Sequence, residues 1–399
     1  MTDLLERVPA LIADYLTAEN IAFAVFALLW LTSMIRCFGH RRLANLARRQ
    51  RREKRGVPVP ISVIVLAENQ CHLLRKRLHK FLDQTHPDFE VIVVNMNSQD
   101  ETQAYLKSLD YMPHLHYRTL PEGAKDISRE QLALTLGIRT ATKDWVLLTN
   151  ITCEPESRMW LYNISTRCLR GKDIVVGYTR YRNPHGWAGL RYCFFSAWQQ
   201  MLNLTHVRKR YIYRAEPTNL CYRKEFFLGH KGFATNTTLL SGATDIMVNT
   251  YSDKTNTAVC LLPETTMLKD CPRSRQSWAT ERLFFMETRR HLRKKVTYRL
   301  RYALSVLLTW LYSLSLIATL ALSLLLTEQP YPLAIAAAVM WAVHSIWRSN
   351  CINRTFRMLG EPRLYFSLPF MLHHIARWDF TAWLRHKFTD KKVFRKRFV

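Results

Sequence analysis

No charged side chain interrupts the stretch "YALSVLLTWLYSLSLIATLALSLLLT", residues 302–327. At about 1.5 Å per residue, an apolar helix of that length crosses the ~30 Å hydrocarbon core of a bilayer. Two shorter stretches share its character. "ENIAFAVFALLWLTSMIRCF" carries no charge from Asn20 to Ile35, and "YPLAIAAAVMWAVHSIW" (331–347) is separated from the first stretch only by Glu328-Gln329-Pro330. Three transmembrane helices are therefore expected, at 20–38, 302–327 and 331–347, the last two as a hairpin. Buried core helices of a soluble protein are the competing reading. The residues ahead of the first span are acidic (Asp3, Glu6, Asp14, Glu19), and a basic run follows it, a stop-transfer pattern rather than a cleavable signal.

The net charge of +27 is unevenly placed. Residues 40–56 hold eight Lys/Arg against one Glu, and 289–301 hold seven with no acid. Arg348, Arg354, Arg357 and the tail "DKKVFRKRFV" follow the third stretch. All these clusters share one side of a membrane if the N-terminus (1–19) is outside and 37–301 is cytoplasmic. Placed so, the charge meets anionic lipid headgroups, which argues against nucleic acid as the partner. Nine scattered cysteines form no CxxC pair, so in a cytoplasmic domain they are expected as thiols.

Between the spans, residues 57–300 read as an α/β domain. "ISVIVLA" and "FEVIVVN" are β-branched runs that end in polar loops, and "DWVLLTN" reads as the third strand. The helical segments "CHLLRKRLHKFLDQ" and "ISREQLALTLGIRTA" alternate with them. Continuous apolar strands separated by helices imply a mostly parallel sheet covered on both faces, with a ligand at the strands' carboxyl ends. Those ends carry Glu68-Asn69-Gln70, Asn95-Met96-Asn97 and Asn150-Ile151-Thr152. Ser98 and Asp100 are placed to cap the following helix.

The colinear set "PISVIVLAENQ", "DFEVIVVNMNSQDET", "DWVLLTNITCEPES", "NLCYRKEFFLGHKGF", "SGATDIMVN" and "SWATERLFF" resembles family 2 glycosyltransferases of the GT-A (nucleotide-diphospho-sugar transferase) fold, nearest to a bacterial membrane-attached subgroup. The resemblance implies a donor site at Glu68, Asn69, Gln70, Asn95, Asn97, Asn150 and Thr152. It also implies a catalytic base at Asp245 and an acceptor side at Trp278, Glu281 and Arg282. The family's acids are mostly missing: Gln70 stands for a Glu, Asn95 for an Asp, and Asn150-Ile151-Thr152 for the metal-binding Asp-x-Asp. Neutral oxygens alone hold Mg²⁺ or Mn²⁺ weakly, so no resident metal is expected, and either ion would arrive with the nucleotide diphosphate. Lys125 and Arg129, with Arg273, Arg275 and Arg282, are candidates to carry the leaving-group charge instead. Asp245 also fits a helix N-cap, and Trp278 a buried anchor.

Two functions remain open on these residues. One is an inverting hexosyltransferase that moves a sugar from a nucleoside diphosphate to a glycan or lipid-linked acceptor in envelope polysaccharide or glycolipid synthesis. The other is an inactive relative that scaffolds a glycan-assembly complex. Residues 39–56 read as a basic linker and 348–399 as a basic amphipathic tail, lying either in the cytoplasmic interface of the bacterial inner membrane or against the domain.

Overall fold

The computed structural model describes residues 17–121, 128–182, 184–234, 239–326, 331–365 and 367–394. The chain divides into an α/β unit, formed by Asn45–Val296 with Met358–Pro362 and Trp378–Val399, and a helical unit formed by the remainder.

The α/β unit is organised by its apolar runs. β1 (Ile61–Ala67) and β2 (Phe89–Asn95) are buried along their whole length. They flank one another in parallel, with Ile64 opposite Ile92. Between and after them come α1 (Cys71–Leu82), α2 (Thr102–Lys107), the edge strand β3 (Leu115–Thr119), α3 (Arg129–Thr140) and β4 (Trp145–Asn150). β4 lies on the other side of β1, also in parallel, with Leu148 opposite Ile64. The run expected as the third strand is thus the fourth. β3, "LHYRT", was missed because only Leu115 is buried; an edge strand needs no apolar run.

After β4 follow β5 (Cys153–Pro155), α4 (Trp160–Ser165), β6 (Ile174–Val176), β7 (Thr179–Arg182), α5 (Gly186–Val207), β8 (Leu220–Arg223) and α6 (Lys224–Gly229). Then come α7 (Ala243–Tyr251), β9 (Thr257–Val259), β10 (Met267–Asp270) and α8 (Arg275–His291). The main sheet runs β3-β2-β1-β4-β8-β6-β9, and a second sheet runs β5-β10-β7. β8 is antiparallel to both its neighbours, and the other pairings of the main sheet are parallel. Phe81 and Trp160 meet edge-on at 6.0 Å within the core between α1, α4 and the sheet.

The helical unit takes part of an N-terminal helix, Ala18–Arg52, together with α9 (Val296–Leu326) and segments of α10 (Pro332–Leu359) and α11 (Leu368–Phe388). The N-terminal helix continues through most of the run expected as a linker, because that run contains neither proline nor a capping glycine before Gly56. Phe26, Tyr312 and Ala337 form a small core. Two helices, Ala18–Arg52 and Val296–Leu326, are long and apolar enough to cross a membrane. Only 11% and 17% of their most apolar windows is buried, so Leu28, Leu31, Leu314 and Ile317 are exposed, unlike the side chains of soluble core helices. α10 contains the third apolar stretch but carries Arg348, Arg354 and Arg357 in its second half, and it does not reach the same apolarity.

α3 sits unusually close to the sheet. A Cβ on Gly137 would fall 2.6 Å from Ile64 Cγ2 and 3.1 Å from Val94 Cγ2, both in the buried strand pair. Gly137→Ala is expected to lower stability by roughly 1–3 kcal/mol of overpacking, outweighing the ~1 kcal/mol helix-propensity gain. Thermal unfolding of the full chain checks this.

Candidate functional site

The carboxyl ends of β1, β2 and β4 are adjacent in the sheet, and their loops are laced together by side-chain bonds. Asn69 and Asn97 both adopt left-handed backbone conformations (φ +49° and +55°), which asparagine tolerates better than most residues. The Asn69 N–H donates to Ser98 Oγ (2.9 Å), and the Gln99 N–H donates to Asn69 Oδ1 (2.8 Å). Asn95 is buried: its Nδ2 donates to Gln103 Oε1 (2.9 Å), and its Oδ1 accepts from the Ser98 N–H (3.0 Å). Asp100 caps two helices at once, accepting from the Thr102 N–H (3.0 Å) and from the Cys71 N–H at the start of α1 (2.9 Å). Burial acts to raise its carboxyl, but the Thr102 and Cys71 bonds outweigh it and lower the pKa.

The end of β4 is held from below. Asn150 Oδ1 accepts from the Thr152 N–H (2.9 Å), a tight polar turn. Arg77, on α1 and only 2% exposed, donates through Nη1 to the carbonyls of Ile151 (3.1 Å) and Thr152 (2.6 Å). Its Nη2 donates to both oxygens of Asp270 (2.8 and 2.6 Å), and its Nε lies 3.3 Å from Glu154 Oε2. Lys80 (2.9 Å) and Arg182 also bind Glu154, and Arg182 reaches Asp270 at 2.8 Å. The Asn150 side-chain oxygen and both carbonyls are therefore committed within the protein. Among the described residues, no group of three or more His, Cys, Asp or Glu side chains is placed to hold a metal. The donors of this strand end do not fit a protein-anchored divalent cation.

A second cluster lies one residue further on. β10 pairs antiparallel with β5, putting Lys269 opposite Cys153, and parallel with β7, putting it beside Tyr181. Successive residues of a strand face opposite ways, so Asp270 joins Arg77 while Lys269 joins a different set. Lys269 Nζ is 2.9 Å from Glu281 and 3.3 Å from Glu216, and Arg214 is 3.1 Å from Glu216. Burial pushes Glu216 up, but Lys269 and then Arg214 overcome it and hold it at about 2. Asp245, 7% exposed on the first turn of α7, accepts from the Ala215 N–H (2.5 Å). Burial raises its carboxyl to about 6 against the opposing pull of Arg214. Burial, and then Asp245 itself, raise Glu130 on α3 to about 7. Two cations and four carboxylates, drawn from α3, the loop before β8, α7, β10 and α8, are thus linked in one cluster.

The family model described as Glycosyl transferase family 2 matches residues 62–236. That segment is a family 2 glycosyltransferase domain. No curated protein matches the chain. Among solved structures, the mannosyltransferase PcManGT from Pyrobaculum calidifontis, in complex with GDP-Man and Mn2+, is similar at 16% identity and TM-score 0.50. The match covers 89% of this chain and 99% of that one. S. aureus TarS 1-349 in complex with UDP-GlcNAc is 12% identical with TM-score 0.40, covering 82% of this chain and 90% of the other. The chain carries an α/β GT-A fold with a mostly parallel central sheet.

The residues expected at the site fall into three groups, of which Asp245, Trp278, Glu281 and Arg282 lie beyond the matched segment. Glu68, Asn69, Gln70, Asn95, Asn97, Asn150 and Thr152 gather at the strand ends, and Arg129 joins them through an ion pair with Glu68 (3.3 Å) and a bond to the Met96 carbonyl. Asp245 and Glu281 meet in the ionic cluster. Trp278 and Arg282 are buried elsewhere: Trp278 stacks on Tyr192 (4.7 Å) and meets Trp378 of α11 edge-on (5.8 Å), while Arg282 pairs with Asp379 of α11 (2.6 Å). His386 also bonds Glu287 of α8 (2.6 Å), so this part of the tail is docked on the domain. Lys125 lies outside the described residues. Arg77, Arg214, Glu216 and Lys269 were missed, because no short motif joins them; side-chain contacts of α1 and of the loop before β8 with β10 do.

The raised Asp245 makes stability depend on pH. Its folded carboxyl keeps a proton to about pH 6, whereas the unfolded side chain releases it near 3.8. The folded state therefore binds more protons between these values, and this group's contribution falls as pH rises through that window. Asp245→Asn is expected to lose that slope, a difference of up to about 3 kcal/mol between its ends. Paired unfolding curves from pH 4 to 7 measure it.

Proposed function

We propose that the chain is a membrane-attached transferase that binds a nucleoside-diphosphate sugar across the ends of β1, β2 and β4 without a protein-anchored metal. The observation that carries this reading is the strand end after β4, where neutral oxygens are already committed to Arg77 and to the turn. In the place where the family puts a cation, this chain has fixed cations of its own. Lys269 stands opposite Cys153 with Arg214 close behind, and both are half-buried among carboxylates that keep them charged. Positive groups held in a low-dielectric site stabilise the charge that develops on a departing diphosphate without reorganising.

Asp245 is the base in this scheme. Its pKa near 6 leaves it ionised at neutral pH yet able to take a proton from an acceptor hydroxyl, and direct displacement then inverts the sugar's anomeric centre. Glu281, tied to Lys269, couples the two halves of the site. A hexose and a membrane-proximal glycan or lipid-linked acceptor suit this placement, in envelope polysaccharide or glycolipid synthesis. The second reading, a donor-binding domain that scaffolds other glycan-assembly proteins without turnover, is favoured by the same committed strand-end oxygens.

The membrane reading assigns three spans, adding 331–347 to the two long apolar helices, with the domain in the cytoplasm of a bacterial inner-membrane protein. Basic residues on that side support it. All nine cysteines are free thiols, and Cys271 is the one not buried. It should resist an impermeant thiol reagent in intact cells and react after permeabilisation; labelling in intact cells would reverse the orientation.

Calorimetric titration with uridine and guanosine diphosphates should show binding that changes less than threefold when Mn²⁺ is replaced by EDTA. Asp245→Asn should then reduce turnover by roughly 10²–10⁴, the usual worth of a general base, with donor affinity nearly unchanged. Binding of a diphosphate with no turnover in the unmodified chain would select the scaffold reading.

A further inference from the structure

The helical unit contains an arginine without an acid. Arg348 lines a partly open cavity of about 30 Å³ together with Tyr312, Ser313, His344, Leu368 and His373. Among the described residues of this unit, Glu19 is the only carboxylate, and it lies more than four helical turns from Arg36 along the N-terminal helix. The ionisable groups around Arg348 are Arg36, Cys37, His40, Tyr312, His344 and His373, none of them a carboxylate. No ion pair or hydrogen bond to Arg348 is made by any described residue.

The cavity is polar beyond its arginine. Tyr312 is only 4% exposed, and its hydroxyl finds no hydrogen-bond partner. The Ser313 hydroxyl donates to the Thr309 carbonyl, so it accepts from His373 Nε2–H (3.2 Å), and the buried, unpaired Nδ1 of the neutral ring is an acceptor. His344, 2% exposed, bonds Ser33 Oγ through Nε2 (2.9 Å), and Arg36 bonds Ser305 Oγ (2.5 Å). A buried donor such as the Tyr312 hydroxyl costs roughly 1–3 kcal/mol when it has no partner. A guanidinium and a hydroxyl lining one small cavity are donors suited to a tetrahedral oxyanion, which accepts from both at once. The volume exceeds the ~10–15 Å³ that one ordered water needs.

We propose that this cavity binds a phosphate group, with Arg348 as the charge partner and Tyr312 as a supporting donor. The inference goes beyond the donor site in the α/β unit. It shares with the membrane reading only the placement of these helices at a lipid surface, where headgroup phosphates are at hand. A lipid headgroup and free inorganic phosphate offer the same oxygens, and the test separates them.

The full chain, purified in a neutral detergent, is titrated with inorganic phosphate, with dihexanoyl phosphatidylglycerol, and with dihexanoylglycerol as the phosphate-free control, and thermal unfolding is followed. Saturable stabilisation by phosphatidylglycerol alone assigns a lipid headgroup; stabilisation by both phosphate compounds assigns a site open to the free ion. In either case Arg348→Gln should weaken the effect at least tenfold, and Arg348→Lys should retain part of it. Arg42→Gln, an exposed arginine of the same unit, should leave it unchanged. Tyr312→Phe, which removes one hydroxyl, should weaken binding about threefold or more and serves if Arg348→Gln does not fold. Equal responses in the unmodified chain and the cavity variants, or stabilisation by dihexanoylglycerol as strong as by phosphatidylglycerol, overturn the proposal. Release of the chain from membranes by alkaline carbonate would instead remove the membrane reading, with the inorganic phosphate arm still deciding this one.

Discussion

The guanidinium of Arg77 holds the functional end of the α/β unit in place. It is buried, and it ties α1 to the loop after β4 through two carbonyls, to β5 through Glu154 and to β10 through Asp270. Burying one charge among partners is costly unless every donor is matched, and removing one partner from such a set typically costs about 3–5 kcal/mol. The matching here is shared with Lys80 and Arg182, so five charged residues from α1, β5, β7 and β10 stand or fall together. Because β10 is fixed on one face by Asp270, its neighbour Lys269 is fixed on the other, and the second cluster inherits its geometry from the first.

This arrangement changes the meaning of the missing acids. Gln70, Asn95 and Asn150 stand where the resemblance leads one to expect carboxylates, yet the region is not depleted of charge. Asp100, Glu130, Glu154, Glu216 and Asp270 supply it from neighbouring elements, and each is set by its own surroundings. Lys269 and Arg214 hold Glu216 low, whereas burial lifts Asp245 and Glu130. Carboxylates in one small region whose pKa values are driven apart are what a site needs to hold a base beside fixed ion pairs.

The tail was an open question in the primary structure, and the answer depends on which part is considered. From Trp378 onward it belongs to the α/β unit. Trp378 meets Phe195 and Trp278 edge-on, Asp379 meets Arg282, and Phe394 packs on Phe284. Two of the three residues expected to face an acceptor, Trp278 and Arg282, are thereby covered. Glu281, between them in sequence or adjacent, points to Lys269 because consecutive helical residues lie about 100° apart.

Much of the scaffold was legible in the sequence. The β-branched runs announced β1, β2 and β4, since a strand buried on both faces must be apolar throughout, and the uncharged helices announced themselves by length. The colinear motifs carried the family. What stayed hidden were contacts between distant residues. Arg77 looks like one more basic residue on a helix that also carries the exposed Arg75 and Lys76; only the packing of α1 against β5 and β10 turns it inward. Lys269, Glu216 and Asp245 are separated by long stretches of chain, and strand register, not spacing, brings them together. Arg348 reads as a charge at the end of a span until the helices around it are seen to offer no acid. Periodicity reports the surroundings of a segment on average, whereas the partner of a single charge is decided by tertiary packing.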